Sequence, residues 1–185
     1  KPFVSVVIAA RNEKARIKTC LTSLMRQNYK SDLFEVVVAD DRSVDGTSEI
    51  LEEVKSFFEN LKIIRIDRVP EGISPKKNAV AAAIGIASGD IILQTDADCA
   101  VPENWITGMA ARFEDGIVMV CGAAPYLPGS GALSSFVCHE YLWNITMSAG
   151  SIALGHGTHA SARNLGFRRR AFERSGGYGD GEKVI

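Results

Sequence analysis

From residue 3 to residue 121 the chain alternates short apolar, β-branched runs with amphipathic stretches, and this alternation restricts the possible folds more than any other feature. Phe3–Ala9 is almost wholly apolar, the pattern of a strand covered on both faces in a parallel sheet. Between Lys14 and Gln27, Ile17, Leu21, Leu24 and Met25 fall at i, i+4, i+7 and i+8, which marks one face of a helix. The unit then recurs. Phe34–Ala39 predicts a second strand, and Thr47–Phe58 a second helix with Ile50, Leu51, Val54 and Phe58 on one side. Leu61–Ile66 predicts a third strand. Pro75–Ala87 predicts a third helix, with Ser74 as N-cap, proline in its first position and Gly89 just past its end. Ile91–Gln94 is a fourth strand, Pro102 opens a helix carrying Trp105, Ile106, Met109 and Phe113, and Ile117–Cys121 is a further strand. Such alternation implies an α/β fold, a mostly parallel sheet sandwiched by helices.

Beyond residue 122 the alternation stops. Ala123–Ala132 holds two prolines and two glycines, Leu133–Met147 reads as a longer, partly aromatic helix, and Ser148–Asn164 reads as a loop and short strand lining something. The 185 residues therefore suggest one domain, with residues 1–122 as a first half and 123–185 as a second, incomplete one.

Several function classes are disfavoured. Lys and Arg number 21 against 22 Asp and Glu, so no basic surface is available to track nucleic acid. Cys20, Cys99, Cys121 and Cys138 are widely spaced, unlike a zinc knuckle or a disulfide framework, and read as reduced, packed thiols. The longest later apolar run, Ala79–Ala87, falls short of the roughly 20 residues that span a bilayer. There is no G-x-G-x-x-G after the first strand, no P-loop and no G-x-S-x-G elbow. His139, His156 and His159 show no metal-ligand spacing and read as loop or packing residues.

In an open parallel sheet, ligands bind outside the carboxyl ends of the strands. The polar residues gather there: Arg11-Asn12-Glu13 after the first strand, Asp40-Asp41-Arg42-Ser43 after the second and Asp96-Ala97-Asp98 after the fourth. Two carboxylates at one rim suit Mg²⁺ or Mn²⁺, which binds through one or two carboxylates and completes its shell with phosphate oxygens and water. The same tripeptide also suits a turn and cap before Pro102. Asp45 is a plausible cap for the second helix, which leaves Asp40 and Asp41 free to accept from a base N–H or a ribose hydroxyl. Lys76-Lys77-Asn78 open the third helix, where the free N–H groups already favour anions. A diphosphate would offset the lysines there, and solvation would serve as well.

Taken together, Val4-Ser-Val-Val-Ile with Arg11-Asn12-Glu13, Val36-Val-Val-Ala-Asp-Asp-Arg-Ser with Asp45-Gly-Thr47, Pro75-Lys-Lys-Asn-Ala79, and Thr95-Asp-Ala-Asp-Cys99 with Pro102 and Trp105 resemble a family 2 glycosyltransferase of the GT-A fold. Arg163-Asn164 through Phe172, with Gly176-Gly177-Tyr178, resembles that family's acceptor-side segment, including Arg169. The resemblance implies a nucleoside-diphosphate sugar donor (UDP is expected), a divalent metal (Mn²⁺ or Mg²⁺) and inverting transfer to a glycan or lipid-linked hydroxyl in glycan or cell-envelope synthesis. By position, Ala9, Arg11, Glu13 and Asp41 would line the nucleoside pocket. Lys76 would approach the diphosphate, Asp96 the ribose or sugar, and Asp98 the metal.

An inverting displacement also needs a general base. The family pattern places it some residues after the Gly-Gly-aromatic turn, so Asp180 and Glu182 fall early and the base is expected beyond Ile185. The resemblance further implies a cytoplasmic catalytic domain, with possible attachment to the inner face of a bacterial membrane through other regions of the protein. Two other readings compete. A sugar nucleotidyltransferase should carry a glycine- and arginine-rich phosphate loop after the first strand, where Ala10-Arg11-Asn12-Glu13 has no glycine. A non-catalytic nucleotide-sugar-binding module would bind donor without turnover.

Overall fold

The computed structural model of the protein describes residues 1–127, 129–157 and 159–178. Six strands form one sheet in the order β3-β2-β1-β4-β6-β5. The strands are β1 (Val4–Ala10), β2 (Phe34–Asp41), β3 (Leu61–Ile66), β4 (Ile91–Gln94), β5 (Met119–Cys121) and β6 (Leu165–Arg168). The first four run parallel, and β6 runs antiparallel to both β4 and β5.

The central place of β1 and β2 follows from their side chains. Successive residues of a strand point to opposite faces, and both faces of these strands are apolar. Val4, Val6 and Ile8 join Val36 and Val38 in the core beneath helices α1 (Ile17–Met25), α2 (Thr47–Lys55) and α4 (Trp105–Ala110). On the other face Val7, Val37, Ala39 and Ile92 meet Ala79, Val80, Ala83 and Ile84 of helix α3 (Pro75–Ile86). Burial of that amount of aliphatic surface on two faces is the main force holding the sheet.

The end of the sheet where the strands begin is tied by Glu35. Its Oε1 accepts from the Ser5 hydroxyl at 2.6 Å and from the backbone N–H of Ser88, and its Oε2 lies 2.6 Å from Lys62 Nζ. The Ser5 hydroxyl oxygen in turn accepts from Gly89 N–H at 2.8 Å. This leaves the opposite end, where the strands exit, for other uses.

Several elements depart from the sequence expectations. β2 runs on through Asp40 and Asp41, α1 and α4 are shorter than expected, and β5 begins at Met119. Helix α5 covers Ala132–Ala153, so the expected loop at Ser148 is helix for six more residues. Strand β6 has no counterpart in the sequence expectations, while the short helix α6 (Arg169–Arg174) begins where Arg168-Arg169-Arg170 reads as a solvated helix start. Among the described residues, no helix is long and apolar enough to cross a membrane.

Candidate active site

The exits of β1 and β2 are stitched into one rim. Asn12 N–H donates to Ser43 Oγ (3.0 Å) and Val44 N–H to Asn12 Oδ1 (2.9 Å). Glu13 N–H donates to Thr47 Oγ1 (2.8 Å) and Lys14 N–H to Asp45 Oδ2 (3.1 Å). Asp45 also accepts the Thr47 N–H and hydroxyl, which draws its pKa below the ordinary value. Asp45, expected as the cap of the second helix, stands one residue before it: Gly46 holds the N-cap position at φ +98°, a left-handed conformation that glycine adopts without strain. Asp45 instead closes the turn onto Thr47.

The two adjacent aspartates of β2 do different things, as the pleat requires. Asp40 accepts from the Ser43 N–H (3.2 Å) and from the Ser48 hydroxyl, so it braces the loop. Asp41, with a side chain only 4% exposed, faces Arg42 and Arg11. Arg42 Nε lies 2.8 Å from Oδ1 and Nη2 lies 3.3 Å from Oδ2, while Arg11 Nη1 stands off at 3.6 Å. Arg42 holds a left-handed backbone, φ +57°, and so does Asn12 at φ +56°. For an arginine such a conformation costs roughly 1 kcal/mol or more. In the linear sequence Arg42 is one residue of a motif, and nothing there signals its contact with Asp41.

The third part of the rim is the β4 exit. Lys76 Nζ, in the first turn of α3, lies 2.7 Å from Asp96 Oδ1, so a carboxylate of this chain offsets the lysine at the helix start. Asp98 is half exposed, and its nearest ion-pair partner is Arg16 at 4.0 Å. Glu13 has its pKa raised, first by burial and then by Asp98, with Asp45 and Asp96 adding to it and Arg16 opposing. The Cys20 thiol, buried behind the Asp96 carbonyl, is pushed up to about 12, chiefly by burial. It is an unreactive packing thiol. Ala9, partly buried on β1, and Arg11 stand at the same end.

Glu13, Asp96 and Asp98 thus form a rim whose mutual repulsion a cation would relieve. Among the described residues no three His, Cys, Asp or Glu side chains converge to hold a metal by themselves. Mg²⁺ and Mn²⁺ in phosphate sites need only one or two carboxylates, with phosphate oxygens supplying the rest. The weakly partnered Asp98 fits that requirement.

The acceptor-side expectations divide. Asn164 is a buried hub: its Oδ1 accepts from Trp105 Nε1 (2.9 Å), its Nδ2 donates to Ala123 O (2.7 Å) and its carbonyl accepts from Gly122 N–H (2.8 Å). The Arg163 carbonyl accepts from Thr95 Oγ1 (3.0 Å), one residue from Asp96. The Arg163 guanidinium lies 4.4 Å from the ring centre of Tyr126 and 5.2 Å from that of Tyr141, contacts that nothing in the linear sequence signals. These three residues line a cavity of about 1040 Å³ against α5. Arg169 needs correction. Its guanidinium donates to Gly89 O (2.9 Å) and to Ala87 O at the opposite end of β4, because antiparallel β6 delivers it there, and it acts as a structural tie. Gly176 and Gly177, at φ +81° and +62°, form a turn that brings Tyr178 back against Phe172, with its hydroxyl 3.3 Å from Gln94 Oε1. Asp180 and Glu182 lie outside the described residues.

Comparison with known proteins agrees with this architecture. The family model described as Glycosyl transferase family 2 matches residues 5–176. Glycosyltransferase AglE of Haloferax volcanii is 31% identical over 135 residues, 72% of this chain and 43% of that protein. A beta-monoglucosyldiacylglycerol synthase of Nostoc sp. is 32% identical over 113 residues, 61% of this chain and 24% of that protein. The chain thus spans less than half the length of these curated relatives. A mannosyltransferase of Pyrobaculum calidifontis, solved in complex with GDP-Man and Mn²⁺, superposes with a TM-score of 0.73 at 23% identity, covering 96% of this chain and 47% of that one. TarS 1-349 of S. aureus, solved in complex with UDP, gives a TM-score of 0.60 at 27% identity, covering 70% of this chain and 38% of that one. The mostly parallel sheet flanked by helices is the GT-A arrangement of these structures. From the family match over nearly its whole length, this chain belongs to glycosyl transferase family 2.

Proposed function

We propose that this chain carries the donor site of an inverting glycosyltransferase, which moves a sugar from a UDP-sugar to a hydroxyl of a glycan or lipid-linked acceptor. The observation that carries the reading is the Lys76–Asp96 pair standing beside the weakly partnered Asp98 on the same rim as Asp41. Residues 1–122 hold the nucleotide and residues from 123 onward begin the acceptor side. Asp41 accepts from the base, Ala9, Arg11 and Glu13 bound the nucleoside pocket, Asp96 meets the ribose or sugar, and Lys76 meets the diphosphate. The relatives support such a donor: TarS was solved with UDP, and the Pyrobaculum enzyme with GDP-Man and Mn²⁺.

In the transfer, the bond from the acceptor oxygen to the anomeric carbon forms as the bond to the β-phosphate oxygen breaks, inverting the carbon. The nucleoside diphosphate leaves with the electron pair, and the acceptor proton passes to a carboxylate. Lys76 stabilises the charge that develops on the departing diphosphate. A Mn²⁺ or Mg²⁺ ion held by Asp98 would supply further charge neutralisation there. Such an enzyme would work on the cytoplasmic side, with any membrane attachment made by other regions.

The test is calorimetry of UDP, GDP and their sugars with Mn²⁺, with Mg²⁺ and with chelator, on this chain and on Asp98→Ala. Metal-dependent binding of UDP that the substitution abolishes is the expected result. A folded chain that binds no nucleotide under any of these conditions would overturn the donor site.

A further inference from the structure

The proposed nucleoside pocket rests on Asp41, yet the structure gives that carboxylate two arginines with unequal grips. Arg42 holds both oxygens in a fork, at 2.8 and 3.3 Å, whereas Arg11 reaches one oxygen at 3.6 Å from a side chain that is 52% exposed. The fork comes from the residue next in sequence. It can fold back on Asp41 because Arg42 has a left-handed backbone, with its N–H donating to the Asp40 carbonyl at 3.1 Å. Glycine would take that conformation without strain. A strained arginine at such a point is accounted for by what its side chain does.

We propose that Arg42 is a positioning residue that fixes Asp41 as an accept-only reader of the nucleobase and so selects uracil or guanine over cytosine and adenine. The inference rests on the donor-site reading above and goes beyond it by assigning base selection to Arg42. An ionised carboxylate can only accept hydrogen bonds. Uracil N3–H and guanine N1–H donate at the matching ring position, whereas cytosine N3 and adenine N1 present a lone pair that the carboxylate repels. A site whose polar group is left unpaired by the wrong ligand discriminates far more strongly than one that differs by shape alone.

The two arginines divide the work. Each carboxylate oxygen has more than one acceptor position, and the fork uses one on each. The remaining position on Oδ2 is covered only by the longer, exposed Arg11 contact, so an incoming base N–H displaces Arg11 and leaves the fork intact. Without Arg42 the buried carboxylate would have Arg11 as its remaining guanidinium partner and would draw it in. The carboxylate would then lose the fork that fixes its plane, and the base N–H would meet an acceptor of unfixed orientation, so the preference for a donor at that ring position would weaken.

The test is calorimetry of UDP, GDP, CDP and ADP, with Mn²⁺, on the wild-type chain, Arg42→Gly and Arg42→Lys, with melting temperatures recorded alongside. The wild type should bind UDP or GDP at least tenfold more tightly than CDP and ADP. Arg42→Gly, whose backbone suits φ +57°, should keep its melting temperature and lose roughly tenfold or more of that ratio, on the scale of one hydrogen bond to a charged group. Arg42→Lys, a point charge without a fork, should fall between the two. The inference is overturned if Arg42→Gly keeps the wild-type ratio, or if it weakens all four nucleotides equally while the melting temperature falls. Absence of nucleotide binding by the wild type would instead overturn the donor-site reading beneath it.

Discussion

Lys76 Nζ sits 2.7 Å from Asp96 Oδ1 and joins the first turn of α3 to the exit of β4. A lysine at the positive end of a helix is unfavourable by itself, and Asp96 is the counter-charge that offsets it. A diphosphate arriving at the helix start would take over that task and free Asp96 for a hydroxyl.

Lys76→Ala should therefore separate binding from stability. The pair is exposed, so its loss should change unfolding free energy by under about 1 kcal/mol. Removing a charge-assisted contact to phosphate should weaken UDP affinity by roughly tenfold or more. Chemical denaturation and calorimetry on the same sample check both, and equal affinities in the two proteins would remove Lys76 from the site.

Glu13 reports the field of the rim. Burial raises its pKa first and Asp98 next, so Asp98→Asn should move the Glu13 titration down toward 4.5. A raised folded-state pKa means that ionised Glu13 opposes folding, and the cost appears as pH rises from 4.5 through the folded value. Glu13→Gln should then be more stable than wild type near neutral pH. Carboxyl carbon shifts followed by NMR across pH 3–8 (an ordinary carboxylate window) measure the first effect. A Glu13 titration unmoved by Asp98→Asn would mean that the two carboxylates are not coupled.

Glu35, at the far end of the sheet, behaves in the opposite sense. Burial pushes its pKa up, but the hydrogen bonds from Lys62, Ser5 and the Ser88 N–H outweigh it and the folded value lies below 4.5. The stabilisation is complete above that value and is lost as pH falls through the folded pKa. Glu35→Gln should cost about 1–3 kcal/mol near neutrality and should flatten the acid limb of the stability curve. Urea unfolding at several pH values decides it, since an unchanged acid slope would assign the loss to other groups.

Two glycine-to-alanine changes should act with opposite signs. A Cβ at Gly89 would stand 2.6 Å from Ser5 N and 3.0 Å from Phe3 O, both backbone atoms of the β1 edge, so Gly89→Ala should destabilise by about 1–3 kcal/mol. Gly85, exposed within α3, has nothing within 4 Å, and Gly85→Ala should stabilise by about 0.5–1 kcal/mol. Melting curves of the two variants, taken together, test the packing at the start of β4.

What could be read from the sequence follows physical lines. β1, β2 and β4 are legible because burial on two faces leaves apolar runs, and α1 and α2 because one buried face leaves a helical period. Edge strand β3 carries exposed Lys62 and Arg65 and is legible from its β-branched residues. The strand exits place Asp41, Lys76, Asp96 and Asp98 on one rim. β6 is not legible, since Leu165–Arg168 is four residues with Gly166 inside, and that glycine is explained only by Leu93 and Phe113, 2.8 and 3.0 Å from where its Cβ would be. The end of α5 is not legible because Ser148–Ala153 is mostly small residues that carry no apolar period. Arg42 escaped notice because its backbone dihedral, and not its identity, turns it onto Asp41. Arg169 was misplaced for want of the antiparallel strand that carries it away.

That antiparallel strand has a further consequence. Cys121 and Leu165 are paired across β5 and β6, so everything between them leaves the sheet and returns to the same rung. The cost of closing such an excursion grows only slowly with its length. Between the anchors at Gly122-Ala123 and Arg163-Asn164, the excursion can therefore be lengthened or shortened without disturbing the register of β1, β2 and β4. One wall of the cleft is thus a detachable excursion hung from a single rung, while the rim at the exits of β1, β2 and β4 is fixed by the parallel core.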